Sequence, residues 1–210
     1  MISDKENVEA HVEINTPHGP VFIEGPVTKG YLETLKMNDR LTNFRTPERQ
    51  HEALCIVADS FEGIVTIARH DQEIVGYVVF HQPSQFSRWS KNPRIFELGA
   101  IETSSKFKRM GLATQLLKAA FNNPFMEEYI LITTEFFWHW DLKDSGLDVW
   151  NYQRMLTKLF GSVHFKKRRT DDPEILEHPA NMLMVRIGSN IPEAYIKSFE
   201  ELLYQHSIID

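Results

Sequence analysis

The chain has 210 residues, of which 42% are hydrophobic and 25% charged, and its formal net charge is −6. This length and balance predict one folded domain of ordinary size and exclude wholesale disorder. The negative charge argues against general nucleic-acid binding, which needs a broad basic face, and against attraction to an anionic membrane surface. With Cys55 as its one cysteine, the chain can form no internal disulfide and no metal site of several cysteines.

The first ten residues, MISDKENVEA, are acidic and polar and contain no apolar run typical of a signal peptide. No segment approaches the roughly 18 consecutive apolar residues of a membrane-spanning helix. We therefore expect a soluble cytoplasmic protein with no membrane partner.

The N-terminal part of the chain predicts two hairpins separated by two helices. Alternating apolar and polar residues around short turns indicate the hairpins, and apolar residues at helical spacing indicate the helices. Pro47 suits the first turn of the second helix. In chain order, the predicted elements are strands 11–16 and 20–25, helices 28–35 and 47–60, and strands 63–70 and 73–82.

The rest of the chain predicts strands that alternate with helices. Residues 83–94 have two prolines and no periodicity, which predicts a loop, and the basic run 166–169 also favours a solvated loop. In chain order, the predicted elements are strand 95–103, helix 111–122, strand 128–137, helix 148–160, strands 161–165 and 181–188, and helix 192–207.

This order of elements predicts an α+β fold. Antiparallel pairs come first and one β-α-β crossover follows, which indicates a mixed, mostly antiparallel central sheet with helices on both faces. Since no repeat or linker divides the chain, we expect a single domain over residues 1–210. Its core would cover about 20–165, with a C-terminal strand and helix extension over 166–210.

The junction between strand 95–103 and helix 111–122 has the most informative chemistry. Three cations, at positions 106, 108 and 109, precede the small residues Gly111 and Ala113. Backbone N–H groups in the first turn of a helix have no intrahelical acceptor and, with the helix dipole, favour an anion. The small residues leave room for a phosphate. The junction therefore predicts a diphosphate site, although Gly and Lys are also common before helices that bind nothing.

The spacing of Lys108, Gly111 and Ala113 resembles the acyl-CoA loop of the GNAT superfamily of N-acetyltransferases. That pattern is Gln or Arg, two residues, Gly, one residue, then Gly or Ala, and this chain departs from it by having Lys first. Lysine keeps the charge but lacks the planar fork of arginine, so backbone N–H groups would carry more of the binding. The resemblance implies the GNAT fold, with acetyl-CoA as co-substrate. The residues that it implies for acetyl-CoA binding are Ile101, Glu102, Thr103, Lys108, Arg109, Met110, Gly111, Leu112, Ala113 and Thr114.

A closer resemblance runs in order from residue 23 to residue 188. Segments such as ELGAIE, WHWDLK, TDDPEI and HPAN look like the acetoin-utilisation acetyltransferases of Gram-positive bacteria. The resemblance implies a protein acetyltransferase that modifies a lysine of acetyl-CoA synthetase and so inactivates that enzyme. Composition and spacing alone do not name this substrate.

Transfer of an acetyl group to an amine needs a base, and three glutamates are candidates. Glu97 is the first choice because it stands eleven residues before Lys108, the offset of the base in histone-type members of the superfamily. Glu135, at the end of the next predicted strand, and Glu102 are the alternatives. Each carboxylate could instead only pair with a nearby cation.

The general acid stays open. Many members use a tyrosine four residues before a Gly-Phe pair, but the residue four before Gly161 is Thr157. Tyr152 lies earlier on the same predicted helix, where packing is the alternative role, and water is another proton donor. Cys55 lies in an apolar helical stretch, so we expect a core residue and direct transfer in a ternary complex.

Residues 136–150 hold three of the four tryptophans. At this point in the fold, Trp138, His139 and Trp140 would line the acceptor side and hold a lysine by packing and cation–π contact. An apolar cover for an open sheet edge is the alternative. His139 and Asp141 are too few ligands to indicate a metal, so we expect none.

Two other functions stay open at this point. One is a small-amine or N-terminal acetyltransferase of the same superfamily, which would need no macromolecular acceptor. The other is a non-catalytic regulatory partner that binds acyl-CoA, which would tolerate loss of every candidate base.

Overall fold

The computed structural model describes residues 12–205, whose packing divides into two compact units. Unit 1 comprises residues 12–81 and 98–123, and unit 2 comprises residues 82–97 and 124–205. The single domain expected over 1–210 stays a prediction. The first residue of the predicted strand 11–16 and the last two of helix 192–207 lie outside the described residues.

Unit 1 is built on two antiparallel hairpins, both as predicted. The strands are β1 (Val12–Thr16), β2 (Gly19–Glu24), β3 (Lys36–Met37), β4 (Ile64–His70), β5 (Glu73–His81) and residues 98–103 of β6 (Ile95–Thr103); the helices are α1 (Lys29–Leu32), α2 (Pro47–Asp59) and α3 (Leu112–Phe121). The strand order is β1-β2-β4-β5-β6, and β3 pairs with β5 in parallel. The sequence did not indicate β3, which has only two residues.

The core of unit 1 lies between helices α1 and α2 and one face of the sheet. Leu54 of α2 and Leu32 of α1 are buried with the alternating residues Tyr77 and Val79 of β5. Cys55 is buried in the same core, as its apolar surroundings predicted. Burial of such side chains contributes about 1.5 to 3 kcal/mol each, which fixes the strands that precede α3.

Unit 2 contains the remaining elements, which are β7 (Ile130–Glu135), α4 (Leu142–Ser145), α5 (Val149–Gly161), β8 (Lys166–Arg168), α6 (Pro173–Leu176), β9 (Met182–Ile187) and α7 (Glu193–Leu203). The strand order is β6-β7-β9-β8, where residues 95–97 of β6 pair with β7 in parallel. The pairs β7–β9 and β8–β9 are antiparallel. The core joins Ile95, Ile132 and Val185 of the sheet to Phe199 and Leu202 of α7.

Two sequence expectations in unit 2 are wrong. Residues 161–165 are not a strand, because α5 continues to Gly161 and His164 then takes a left-handed φ of 71°. The run 166–169 is not a loop, since its first three residues form β8. The predicted loop 83–94 has no α-helix or strand and contains one 3₁₀ turn, Arg88–Lys91, whose Trp89 packs against Phe199.

The sheet of the described residues is thus mixed and mostly antiparallel, as predicted. Among residues 12–205, no helix combines the length and the apolar character needed to cross a membrane.

Candidate active site

The chain leaves β6 through a loop whose backbone suits a bound anion. Residues Ser105–Phe107 form a 3₁₀ turn, and α3 begins at Leu112. Arg109 and Gly111 both take left-handed φ angles, 65° and 77°. Such a value is uncommon for a residue with a Cβ, and strained residues cluster at ligand-binding sites.

Gly111 caps the N-terminus of α3 and leaves open space in front of it. A Cβ placed on Gly111 would meet no atom within 4 Å. The N–H of Gln115 donates to the carbonyl of Gly111 at 3.1 Å, which begins the helical ladder. The N–H groups of the preceding first turn, residues 112–114, therefore point out of the helix end, where the dipole favours a diphosphate.

Glu102 is tied to its surroundings by both carboxylate oxygens. The backbone N–H of Asn43 donates to Oε1 at 2.9 Å, and the Tyr77 hydroxyl donates to Oε2 at 2.7 Å. Desolvation, followed by the negative charge of Glu102, raises the pKa of Tyr77 well above its usual range. Glu102 thus links the end of β6 to β5, which suits a structural role better than proton transfer.

Glu97 and Glu135 lie in unit 2 on opposite faces of the paired strands. The register aligns Glu97 with Ile132, and the Thr134 hydroxyl donates to Glu97 Oε1 at 3.2 Å. Since side chains alternate along a strand, Thr134 and Ile132 share a face, and Glu135 projects from the other one. The two carboxylates therefore cannot serve one amine from one side of the sheet.

Glu135 is held by two side-chain donors. The Thr133 hydroxyl donates to Oε1 at 2.8 Å, and the indole Nε1–H of Trp140 donates to Oε2 at 3.3 Å. Desolvation of the carboxyl raises the pKa of Glu135 to about 7, although both hydrogen bonds act to lower it. A carboxyl with a pKa near neutrality suits a general base.

The aromatic segment after β7 divides into an exposed and a buried part. Trp138 stacks on Phe136 with 4.9 Å between ring centroids and is 46% exposed, and His139 is also exposed. Trp140 is 8% exposed and stacks on Tyr152 of α5 at 5.3 Å. Of the three residues expected on the acceptor side, only Trp138 and His139 thus offer an open surface.

Thr133, Thr134 and the contact between Trp140 and Glu135 were not predicted. The alternation in Thr133-Thr134-Glu135 could have placed Thr133 beside Glu135, because residues two apart share a face. Among residues 12–205, no group of three or more His, Cys, Asp or Glu side chains is placed to hold a metal ion.

Comparison with known proteins identifies the family. The sequence model described as the Acetyltransferase (GNAT) family matches residues 32–145. The chain is 42% identical over 196 residues to the acetoin utilization protein AcuA of Bacillus licheniformis, covering 92% of this chain and 93% of that protein. The AcuA of Bacillus subtilis strain 168 is 40% identical over 195 residues, with the same coverage.

A solved structure agrees with these matches. The crystal structure of an acetoin utilization protein from Exiguobacterium sibiricum 255-15 superposes with a TM-score of 0.93 at 43% identity and 96% coverage of each chain. The predicted GNAT fold is therefore confirmed. The chain belongs to the GNAT family and is an acetyl-CoA-dependent acetyltransferase.

Proposed function

We propose that the chain is a protein lysine N-acetyltransferase that acetylates and inactivates acetyl-CoA synthetase in the cytoplasm, in connection with acetoin and acetate utilisation. The observation that carries this proposal is the 42% identity, over 92% of the chain, to a protein named for acetoin utilization. A likeness of that extent supports a shared role rather than a shared fold alone.

In this proposal, the junction of β6 and α3 holds acetyl-CoA, which supplies the acetyl thioester. The first-turn N–H groups of Leu112, Ala113 and Thr114 donate to the diphosphate, and Lys108 and Arg109 add positive charge. The open space at Gly111 and its left-handed φ support this assignment. The backbone of residues 101–103 lines the pantetheine arm, and Met110 completes the loop.

We infer that Glu135 is the general base. A lysine amine has an ordinary pKa of about 10.4, so it must lose a proton before its nitrogen can attack the thioester carbonyl. A desolvated carboxylate whose pKa is about 7 can accept that proton at neutral pH. The new N–C bond forms as the C–S bond breaks, and the thiolate of CoA leaves.

Glu97 stays the alternative base, and Glu102 has a structural role in this proposal. Glu97 accepts a hydrogen bond from Thr134 and is half-buried. The face on which it lies is that of Ile95 and Ile132, both buried in the core of unit 2. Glu135 adjoins Trp140 instead, at the end of the aromatic segment.

The exposed part of the aromatic segment is the proposed contact for the acceptor lysine. The indole of Trp138 offers a face for the aliphatic stem and for a cation–π contact with the charged amine, worth about 0.5 to 1 kcal/mol at an exposed site. Trp140 has a different role here, since its indole N–H holds the base.

The test combines purified chain, labelled acetyl-CoA and purified acetyl-CoA synthetase. We expect label on one or a few lysines of the synthetase, identified by mass spectrometry, and a parallel loss of synthetase activity. Glu135→Gln and Glu97→Gln form a matched pair, and we expect only the former to reduce turnover, by about 10² to 10⁴-fold. In a second assay, with a cell extract in place of the purified synthetase, label that appears only in small metabolites would refute a protein acceptor. In the purified assay, inhibition of the synthetase without label would indicate a non-catalytic binding partner.

A further inference from the structure

A buried polar cluster anchors the first residue of the acyl-CoA loop. Ser104 is fully buried, and its hydroxyl donates to Asn38 Oδ1 at 2.9 Å. Asn38 is also buried, and its amide Nδ2 donates to Glu73 Oε2 at 2.9 Å. We call these three residues the Ser104 cluster; they are the residue after β6, the residue after β3 and the first residue of β5.

Backbone hydrogen bonds fix the same residues. The N–H of Ser104 donates to the carbonyl of Val75 at 2.8 Å, and the N–H of Asn38 donates to the carbonyl of Ile74 at 3.0 Å. Asn38 Oδ1 accepts a second hydrogen bond, from the N–H of Arg40 at 3.2 Å. The short strand β3 is therefore tied to β5 on one side and to the start of the loop on the other.

We propose that Ser104 and Asn38 are positioning residues for acetyl-CoA, which set the direction in which the chain leaves β6. This inference rests on the acyl-CoA loop assigned above. Neither side chain touches the diphosphate in this proposal, and both act through the backbone of the loop.

The geometry of the loop explains how such an effect arises. The carbonyl of Ser104 accepts the N–H of Phe107 at 2.9 Å, so the orientation of Ser104 sets the turn that follows. Only four residues, 108–111, then separate this turn from α3, whose Leu112, Leu116 and Leu117 are buried. A short segment held at both ends has few conformations to lose when a ligand binds, and this lowers the cost of binding.

A hydroxyl is an unusual group to bury for packing alone. Burial of a polar group is unfavourable unless it is hydrogen-bonded, and an alanine would occupy the position of Ser104 without that requirement. The hydrogen bond from Ser104 to Asn38 therefore has a directional effect, since it fixes the position of the residue after β6 relative to the residue after β3.

The experiment measures acetyl-CoA affinity by isothermal titration calorimetry on the full chain, with a thermal unfolding curve for each variant. Ser104→Ala should raise the Kd for acetyl-CoA about 3- to 10-fold, the range expected for one lost hydrogen bond, and Asn38→Ala should raise it at least as much because it also removes the bonds to Glu73 and Arg40. The double variant should bind about as weakly as Asn38→Ala alone, because that change already removes the contact made by Ser104.

Tyr31→Phe is the matched control. It also removes a hydroxyl in unit 1 that donates to a side-chain oxygen, that of Glu24 at 2.8 Å, but it belongs to α1. We expect this variant to lose stability and to bind acetyl-CoA within twofold of the parent chain. A merely structural role for Ser104 would give the same result, a lower Tm with unchanged affinity, and that result overturns the proposal.

Two further variants cover the cases in which the first variants do not fold or the assigned acyl-CoA loop is wrong. If Ser104→Ala and Asn38→Ala do not fold, Glu73→Ala at the exposed end of the cluster should raise the Kd about 2- to 3-fold, and an unchanged Kd refutes the proposal. Gly111→Ala tests the loop itself. If it weakens binding and Ser104→Ala does not, only this inference fails; if Gly111→Ala binds normally, the assigned loop is wrong.

Discussion

Replacement of Glu135 by glutamine should stabilise the protein at alkaline pH while it removes activity. The carboxyl of Glu135 has a pKa raised from an ordinary 4.5 to about 7 because it is desolvated. Below pH 4.5 this carboxyl is protonated in the folded and the unfolded chain alike, so its ionisation does not lower the free energy of unfolding. As the pH rises from 4.5 to 7, the Glu135 carboxyl ionises in the unfolded chain but not yet in the folded one, so stability falls. Above pH 7 the full loss of stability is present.

The size of this cost follows from the two pKa values. The difference between 4.5 and about 7 corresponds to about 3 kcal/mol of lost stability above pH 7. Glutamine carries no charge at any pH, but its amide nitrogen cannot accept one of the two hydrogen bonds from Thr133 and Trp140, a loss of about 1 kcal/mol. We therefore expect Glu135→Gln to be more stable than the parent chain by about 2 kcal/mol at pH 8.

Urea unfolding of both chains at pH 5 and pH 8 measures this effect. The free energy of unfolding of Glu135→Gln, relative to the parent chain, should increase by about 2 to 3 kcal/mol between these two pH values. Glu177→Gln, at an exposed glutamate of unit 2, is the control for the change in net charge. An equal difference at both pH values would show that the Glu135 carboxyl is solvated and would remove the main support for its role as the base.

Two more substitutions test the site. Gly111→Ala should weaken acetyl-CoA binding about tenfold in a titration, because a Cβ at φ 77° costs about 1 to 2 kcal/mol and enters the open space before α3. Gly161→Ala is the control and should bind acetyl-CoA normally, since its Cβ also meets no atom within 4 Å and its φ is ordinary. Tyr77→Phe should lower the free energy of unfolding by about 1 to 3 kcal/mol, since the buried hydroxyl that donates to Glu102 is lost. Its kcat should stay within threefold of the parent value, and a loss of two orders of magnitude would instead favour a catalytic Glu102.

The fold was predictable where local pattern and tertiary structure agree. Strand β6 has the bounds that its alternation predicted, and both hairpins follow from their turns. The segment 161–165 failed because Val163 and Phe165 are both buried, which imitates a strand, while the chain is in fact leaving α5. Strand β3 was missed because two residues carry no periodicity, and its pairing with β5 depends on contacts distant in sequence.

The junction of β6 and α3 was predictable for a similar reason, since Lys108, Gly111 and Ala113 are close in sequence and lie at the start of one helix. The surroundings of Glu102 and Glu135 could not be predicted from the sequence. Tyr77 reaches Glu102 from 25 positions away, and Trp140 reaches Glu135 only after the chain turns back through the 3₁₀ turn Phe137–His139. Because desolvation depends on such distant contacts, the sequence could name three candidate carboxylates but could not rank them by environment.

Strand β8 has a further consequence for how the protein behaves at high concentration. It ends the strand order of unit 2 and presents Lys166 and Lys167 as exposed residues, while Arg168 pairs with Glu200 at 2.5 Å. Lysines on an outer strand repel a second copy that would otherwise add its own strand by backbone hydrogen bonding. The basic run therefore disfavours edge-to-edge pairing of this strand with a second copy of the chain.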